Sequence, residues 1–187
     1  MDIKQIVLNS LTKAMAHHDE GGIPRLIHRN RSKNFVEELA SHFREQYRGR
    51  ESVFVLSKHF DKYREKFGLN ELLFDVLVCD TGVVPSALEN QNLTFVLRAI
   101  WQIESEFAQD SREAMYDFNK LVLGSSEHKL FVGPQTADEG KYLQPLSESA
   151  KYCDSNTYVA LVPHPSAWKK VQPSVRCWKF EGDWKAI

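Results

Sequence analysis

The sequence predicts an α/β protein in which a mixed central β-sheet is flanked by helices, built as a single domain over residues 1–187. Amphipathic helical segments alternate along the chain with short apolar segments rich in β-branched residues, in roughly the order ααβαββαβαβ. Hydrophobic residues make up 42% and charged residues 26% of the chain, as is typical of globular proteins. No repeat, linker or low-complexity tract divides it, so one domain is expected.

Two helices open the predicted order. The first covers about residues 2–17, with Asp2 as N-cap, and Gly21 and Gly22 end it. The second is capped by Ser32 and stops at Gly49, so the residues before Ser32 are expected to form a loop. The next predicted elements are a strand at 52–56, a short basic helix at 59–67 and a buried strand at 71–80.

A polar loop over 83–92 is then predicted to lead into a long strand that includes 99–108. Asp110 or Ser111 caps the following helix, which runs through Leu123. The remaining predicted elements are a strand at 129–133, a helix at 137–152, a strand at 157–163 and a C-terminal strand within 174–187 that contains a glycine turn.

The strand at 99–108, AIWQIESEFA, carries the most informative pattern. Side chains alternate between the two faces of a strand, so Trp101 and Ile103 point one way while Glu104 and Glu106 point the other. Two neighbouring carboxylates repel each other and resist burial, and they therefore need a cation, a basic partner or open water. Carboxylate oxygens are hard ligands, so the pattern indicates a divalent metal site.

A third acid, Asp75, lies near the start of the preceding strand. Consecutive strands are neighbours in space about two-thirds of the time, so Asp75, Glu104 and Glu106 are expected to share one edge of the sheet. The three carboxylates together predict a site for one or two Mg²⁺ ions, with Mn²⁺ as a substitute.

Two alternatives remain open for these acids. In the first, the two glutamates lie on an exposed edge strand and form ion pairs with Arg98 or Arg112, so no metal is needed. Asp80 competes with Asp75 as the third acid, although an aspartate before Thr-Gly is more typical of a turn.

An aspartate, a loop, an apolar strand with Glu-x-Glu and then an amphipathic helix resemble the PD-(D/E)xK nucleases, over about residues 35–134. The similarity is greatest to restriction endonucleases in which glutamate replaces the usual lysine, here Glu106. The resemblance implies a restriction-endonuclease-like fold with Asp75, Glu104 and Glu106 as metal ligands. It also implies help from an acid on an N-terminal helix, at Glu37 or Glu38. The implied activity is Mg²⁺-dependent hydrolysis of DNA, by a possible homodimer.

A lysine for this chemistry can come from the helix that follows the glutamate strand. Lys120 lies on one face of that helix with Glu113 and Asp117. The alternative is a solvent-exposed salt-bridge stripe, which this spacing also produces.

Two basic segments are candidates for contact with DNA phosphates. The first lies in the loop expected to lead into the second helix, where helix N–H groups also attract phosphate. Its predicted nucleic-acid-binding residues are Arg25, Arg29, Arg31 and Lys33. The second cluster is Lys58, Lys62, Arg64 and Lys66. Either cluster is equally consistent with an ordinary solvated surface.

Other classes of function lack support in the sequence. The three cysteines form no CxxC pair, and HExxH, GxGxxG, GxxxxGK[ST] and GxSxG motifs are absent. No apolar run reaches membrane-spanning length and the first residues do not resemble a secretion signal, so a cytoplasmic location is expected. The alternative to a metal-dependent endodeoxyribonuclease is a non-catalytic nucleic-acid-binding or protein-interaction domain. The recognition sequence, and the choice between DNA and RNA, are not determined by these patterns.

Overall fold

A seven-stranded mixed sheet forms the centre of the computed structural model, which describes residues 1–18, 23–61, 64–68 and 70–187, without the side chains at 65 and 66. The strands are β1 (Val53–Ser57), β2 (Val76–Ser86), β3 (Gln91–Ser105), β4 (His128–Pro134), β5 (Asn156–Val162), β6 (Arg176–Phe180) and β7 (Trp184–Ala186). The helices are α1 (Ile3–Ala16), α2 (Pro24–Gln46), α3 (Arg64–Phe67), α4 (Ser111–Leu123) and α5 (Glu139–Ala150).

The strands follow the order of the chain across the sheet. The first three, β1 to β3, form an antiparallel meander. The next two, β4 and β5, run parallel to β3, and α4 and α5 make the two crossovers. The last two, β6 and β7, are antiparallel again. This arrangement confirms the predicted mixed sheet flanked by helices.

Helices cover both faces of the sheet. One core joins α1 and α2 to residues such as Val78 and Ile103, and the other joins α4 and α5 to Leu77 and Phe131. Successive residues of a strand enter opposite cores, as the alternation of apolar side chains predicts. Within the described residues, no helix combines the length and apolar character needed to cross a membrane.

The first helix confirms its prediction, because the Asp2 carboxylate accepts a hydrogen bond from the Gln5 N–H at 3.1 Å. The predicted glycine stop at 21 and 22 lies outside the described residues. The predicted start of the second helix at Ser32 is wrong, since α2 begins at Pro24. Proline fits the first turn of a helix because the backbone N–H that it lacks would have no hydrogen-bond acceptor there. The basic residues expected in a loop therefore lie on helical turns.

The predicted polar loop over 83–92 is also wrong. Its residues continue β2 and begin β3, so only 87–90 form the turn. Asn90 adopts a left-handed conformation with φ of 52°, which asparagine tolerates in tight turns. The predicted basic helix at 59–67 is α-helical only over α3, and the segment 62–63 lies outside the described residues. The predicted C-terminal strand is the hairpin of β6 and β7, with its turn at Gly182.

Candidate active site

The start of β2 and the end of β3 bring Asp75 beside the glutamate segment. Val76 pairs with Ile103, which places Asp75 next to the last residues of β3. The Asp75 Oδ2 atom accepts hydrogen bonds from the Ser105 backbone N–H at 2.9 Å and from the Ser105 hydroxyl at 2.7 Å. Asp75 is therefore held in one orientation by a residue that stands between the two predicted glutamates.

Glu104 lies on the opposite face of β3 from Ile103 and points toward α4. Its side chain is only 1% exposed. One carboxylate oxygen, Oε2, lies 3.2 Å from Lys120 Nζ. The other oxygen, Oε1, is buried and has no hydrogen-bond partner among the described residues. A buried acceptor without a partner is costly, so this oxygen favours an additional cation or donor.

Lys120 links two carboxylates on different elements. Its Nζ lies 2.7 Å from Asp117 Oδ1, one turn earlier on α4, and 3.2 Å from Glu104 Oε2 on β3. The salt bridge along the helix is present, as one interpretation of the sequence expected. The same lysine also reaches the buried glutamate, as the other expected.

Glu106 follows the last residue of β3 and is partly buried. Its Oε1 accepts a hydrogen bond from the Ala108 N–H at 2.6 Å. Burial raises the pKa of the Glu106 carboxyl most, and the negative charge of Asp117 on α4 raises it further. Neighbouring carboxylates repel each other, and a cation between them removes that repulsion. The sequence prediction did not include Asp117 in the metal site, although its position three residues before Lys120 was a usable signal.

The carboxyl groups of this cluster have raised pKa values, because burial disfavours their charged forms. Burial and then repulsion from Asp75 raise the pKa of Glu104 to about 8, and the attraction of Lys120 only partly opposes them. Burial also raises the pKa of Asp75 against the two Ser105 hydrogen bonds, and it raises the pKa of Glu106. Burial works to lower the pKa of Lys120, but its contacts with Asp117 and Glu104 outweigh burial and raise it. Such shifts cluster where carboxylates bind cations or catalyse reactions.

The carboxylate oxygens of this cluster are suitable ligands for a hard cation, but their side chains do not converge on a common point. Among the described residues, no group of three or more His, Cys, Asp or Glu side chains is placed to hold a metal ion. Asp75 and Glu104 offer carboxylate oxygens, one of them without a partner. Binding of a cation therefore requires side-chain rotation within the cluster.

A cleft of about 460 Å³ on the α2 side of the sheet reaches Asp75 and Glu106, while Glu104 is buried behind them. Its lining combines Asp75, Ser105 and Glu106 with four groups able to bind phosphate. Those four are Arg29 and Lys33 on α2, and Lys58 and His59 just after β1. The cleft therefore has an acidic end and a basic wall.

The four residues predicted to bind nucleic acid divide into different environments. Arg29 and Lys33 are exposed and line the cleft, and Arg25 is exposed one turn earlier on α2. The prediction for Arg31 is wrong, because Arg31 is buried and its guanidinium donates a hydrogen bond to the Pro165 carbonyl oxygen. Arg31 lies one helical turn before the buried Phe35 and so shares its inward face.

The second basic cluster is described only in part. Lys58 lines the cleft, and Arg64 is an exposed residue of α3. Lys62 and the side chain of Lys66 lie outside the described residues.

The two candidate acids on the N-terminal helix have separate partners. Glu37 accepts hydrogen bonds from the Ser57 hydroxyl at 2.9 Å and from the His59 N–H at 3.1 Å, so it fixes the segment that carries Lys58 and His59. Glu38 instead contacts His17 at the end of α1. Of the two, Glu37 is the one connected to the cleft.

The alternatives for the acids do not match the structure. The glutamate segment pairs with β2 on one side and β4 on the other, so it is not an edge. Arg98 contacts Asp80 and Glu127, both away from Glu104. Asp80 lies within β2 and not in a turn, and its carboxylate is bound by Arg98 and Ser52.

Comparison with known proteins gives no match: no protein-family model, no curated protein and no solved structure is significantly similar to this chain. The chemistry of the cleft is therefore inferred from its own residues.

Proposed function

We propose that this protein is a Mg²⁺-dependent nuclease that hydrolyses phosphodiester bonds of DNA and has a restriction-endonuclease-like fold. The observation that carries the proposal is Asp75, which lines a cleft with a basic wall and whose negative charge acts on the buried Glu104 behind it, where Glu104 contacts Lys120. The order of the acids along the chain also supports the proposal, since Asp75 directly precedes β2, Glu104 lies on β3, and α4 is the next helix.

The residues of the cleft have distinct roles in this proposal. Asp75 and Glu104 would hold the divalent cation, with Glu106 as a further ligand. When bound, Mg²⁺ or Mn²⁺ supplies Lewis acidity and lowers the pKa of a bound water. Lys120 keeps a positive charge beside Glu104 and fixes its orientation, in place of a lysine at position 106. Arg29, Lys33 and Lys58 bind the phosphates of the DNA strand.

Cleavage of supercoiled plasmid in the presence of Mg²⁺ or Mn²⁺ tests the proposal. The wild-type protein should nick the plasmid. Asp75→Asn and Lys120→Met should lose about 10²-fold or more of the rate, since each removes a charged group from the site. Asp80→Asn, which changes a carboxylate on β2 remote from the cleft, is the matched control and should retain activity.

Absence of cleavage by the wild-type protein with both cations, or full activity of Asp75→Asn, would overturn the proposal. A parallel assay on RNA decides between the two nucleic acids. The cytoplasmic location remains a prediction.

A second candidate function is a non-catalytic nucleic-acid-binding domain with the same cleft. The contact of Lys120 with Glu104 favours it, because the lysine already occupies one oxygen of the buried carboxyl group without a cation. The two functions differ in their response to metal. A nuclease should gain thermal stability with Mn²⁺, and Glu104→Ala should abolish that gain. A binding domain should retain DNA without any metal response.

A further inference from the structure

Strands β2 and β3 extend well beyond the rest of the sheet. Strand β1 pairs with β2 only up to Asp80, and β4 pairs with β3 only from Trp101 onward. Among the described residues, Thr81 is bonded to Ser52 just before β1, and beyond it Gly82–Ser86 and Gln91–Phe95 pair only with each other. We call residues 81–97 the distal hairpin. A two-stranded hairpin by itself is marginally stable in water, so one of this length benefits from a packing partner.

One face of the distal hairpin is apolar. Residues directly opposite in an antiparallel pair share a face, which groups Gly82 with Phe95 and Val84 with Leu93. A Cβ built on Gly82 would lie 2.8 Å from Cζ of Phe95 and 3.3 Å from Cδ2 of Leu97, so both side chains lie across the glycine. Five large apolar side chains of the hairpin are between 40% and 91% exposed: Val84, Leu93, Phe95 and Leu97 on the strands, and Leu88 at the turn.

The exposed apolar area and the low charge of this face indicate which kind of partner can bind it. A large apolar side chain covers on the order of 150–200 Å², so five that are about half exposed leave roughly 500 Å² per molecule. Two such faces bury roughly 1,000 Å², about the area that a specific interface requires. Glu89 is the only charged residue among 81–97. The face therefore has no cation for nucleic acid or an acidic membrane, and two identical copies of it do not repel each other.

We propose that the distal hairpin is a dimerisation surface, on which the apolar faces of two copies of this chain pack against each other about a two-fold axis. Each copy offers the same surface, so the contact closes with two molecules. The active-site proposal is not needed for this inference, because the cleft lies at the opposite end of β3, near Ser105.

Light scattering coupled to size exclusion, at micromolar protein concentrations, tests the dimer. The wild-type protein should have twice the chain mass of 21.6 kDa. The double variant Phe95→Glu, Leu97→Glu should run as a monomer, because it places two like charges on each apolar face. Val83→Glu is the matched control. Its side chain is exposed on the other face of the same hairpin, where it pairs with Thr94, so this variant should remain dimeric.

Hydrogen exchange gives a second measurement that locates the contact. Backbone amides of 81–97 should become more protected as protein concentration rises in the wild type, and not in the double variant. Circular dichroism should show that the double variant keeps its fold, since both substituted side chains are exposed. A monomeric wild type, or a dimer that the double variant leaves intact, would overturn the inference. Equal dissociation by Val83→Glu would do the same.

Discussion

At neutral pH the buried Glu104 carboxyl, with its pKa raised to about 8, holds a proton in most cation-free molecules. Its ordinary pKa is 4.5, so between pH 4.5 and pH 8 the folded protein binds this proton more strongly than the unfolded chain does. The favourable contribution of the protonated group is complete below pH 4.5 and is lost as the pH rises through 8. Above pH 8 the ionised carboxylate is stabilised by Lys120, and a bound cation would stabilise it further.

Substitution of Glu104 by glutamine should remove this pH dependence, since the amide has the same shape but no charge. We expect Glu104→Gln to match the wild type near pH 4.5 and to become progressively more stable than it up to pH 8. Chemical denaturation in EDTA across this range measures the difference. A stability difference that stays constant with pH would contradict the assignment.

Arg31 and Arg29 lie two residues apart on α2 but should affect different properties. Arg31→Ala removes a buried hydrogen bond to the Pro165 carbonyl oxygen and should cost about 1–3 kcal/mol of the free energy of unfolding. It should leave the affinity for DNA unchanged in the folded protein. Arg29→Ala, at an exposed cleft position, should do the reverse. Urea denaturation and DNA titration of both variants check this, and a loss of DNA affinity confined to Arg31→Ala would contradict it.

At the scale of elements, α4 matters for the site because it carries both Asp117 and Lys120. Its first turn is held by Asp110, whose carboxylate accepts hydrogen bonds from the Arg112 N–H at 2.8 Å and the Glu113 N–H at 3.1 Å. The first turn of α5 is capped in a similar way by Asp138. The two helices therefore provide a matched pair in which only one carries site residues.

Removal of each cap should separate stability from activity. Asp110→Ala and Asp138→Ala should each cost about 1 kcal/mol of the free energy of unfolding, because each leaves helix N–H groups without an acceptor. Only Asp110→Ala should also slow DNA cleavage, since fraying of α4 loosens the Lys120 contact. Thermal denaturation and plasmid nicking measure the two effects. Equal loss of activity in both variants would show that α4 has no special role.

The predictions from sequence succeeded where a local pattern dictates the outcome. Alternation along β3 placed Ile103 and Glu104 on opposite faces, and a side-chain cap marked the start of α1. The start of α2 was missed because Pro24 was not taken as a first-turn residue, and Arg31 was consequently assigned to the surface. Proline and asparagine between β2 and β3 suggested a loop, although pairing across the hairpin overrides them.

For the candidate site, the sequence indicated that Asp75 and Glu104 come from neighbouring strands but not how their carboxylates are bound. Asp75 and Glu104 lie on neighbouring strands because β2 and β3 are consecutive in the chain. Whether Lys120 reaches Glu104 depends on the distance between α4 and β3, and the packing of the whole core sets that distance. The hydrogen bonds from Ser105 to Asp75 depend in the same way on the register of the two strands.

At the scale of the whole molecule, the cleft lies between α2, on one face of the sheet, and the adjoining ends of β2 and β3. Its basic wall should contribute a measurable number of phosphate contacts. Arg29→Ala combined with Lys33→Ala should reduce the slope of log affinity against log salt by about 2, since each contact contributes about 0.9. Fluorescence anisotropy with a DNA duplex in EDTA at several salt concentrations measures the slope.

Two lysines at the ends of α5 provide the control for that measurement. Lys141, in the first turn, pairs with Asp138, and Lys151, just after the last turn, pairs with Glu148. The helix packs on the other face of the sheet from α2. Replacing both with alanine changes the net charge of the protein equally and should leave the slope unchanged. A fall in the slope as large as that of the α2 variant would mean that the cleft is not the DNA contact surface.

The order of the strands in the sheet has a consequence for how the chain acquires its structure during synthesis. Each strand from β2 to β7 is bonded to the strand immediately before it in the sequence, so it adds to an edge that already exists. No strand has to be inserted between two others, and the sequence separation of pairing residues stays small. We expect the sheet to assemble progressively from the N-terminus on the ribosome, with Asp75 and Glu104 brought together before α4 emerges to supply Lys120.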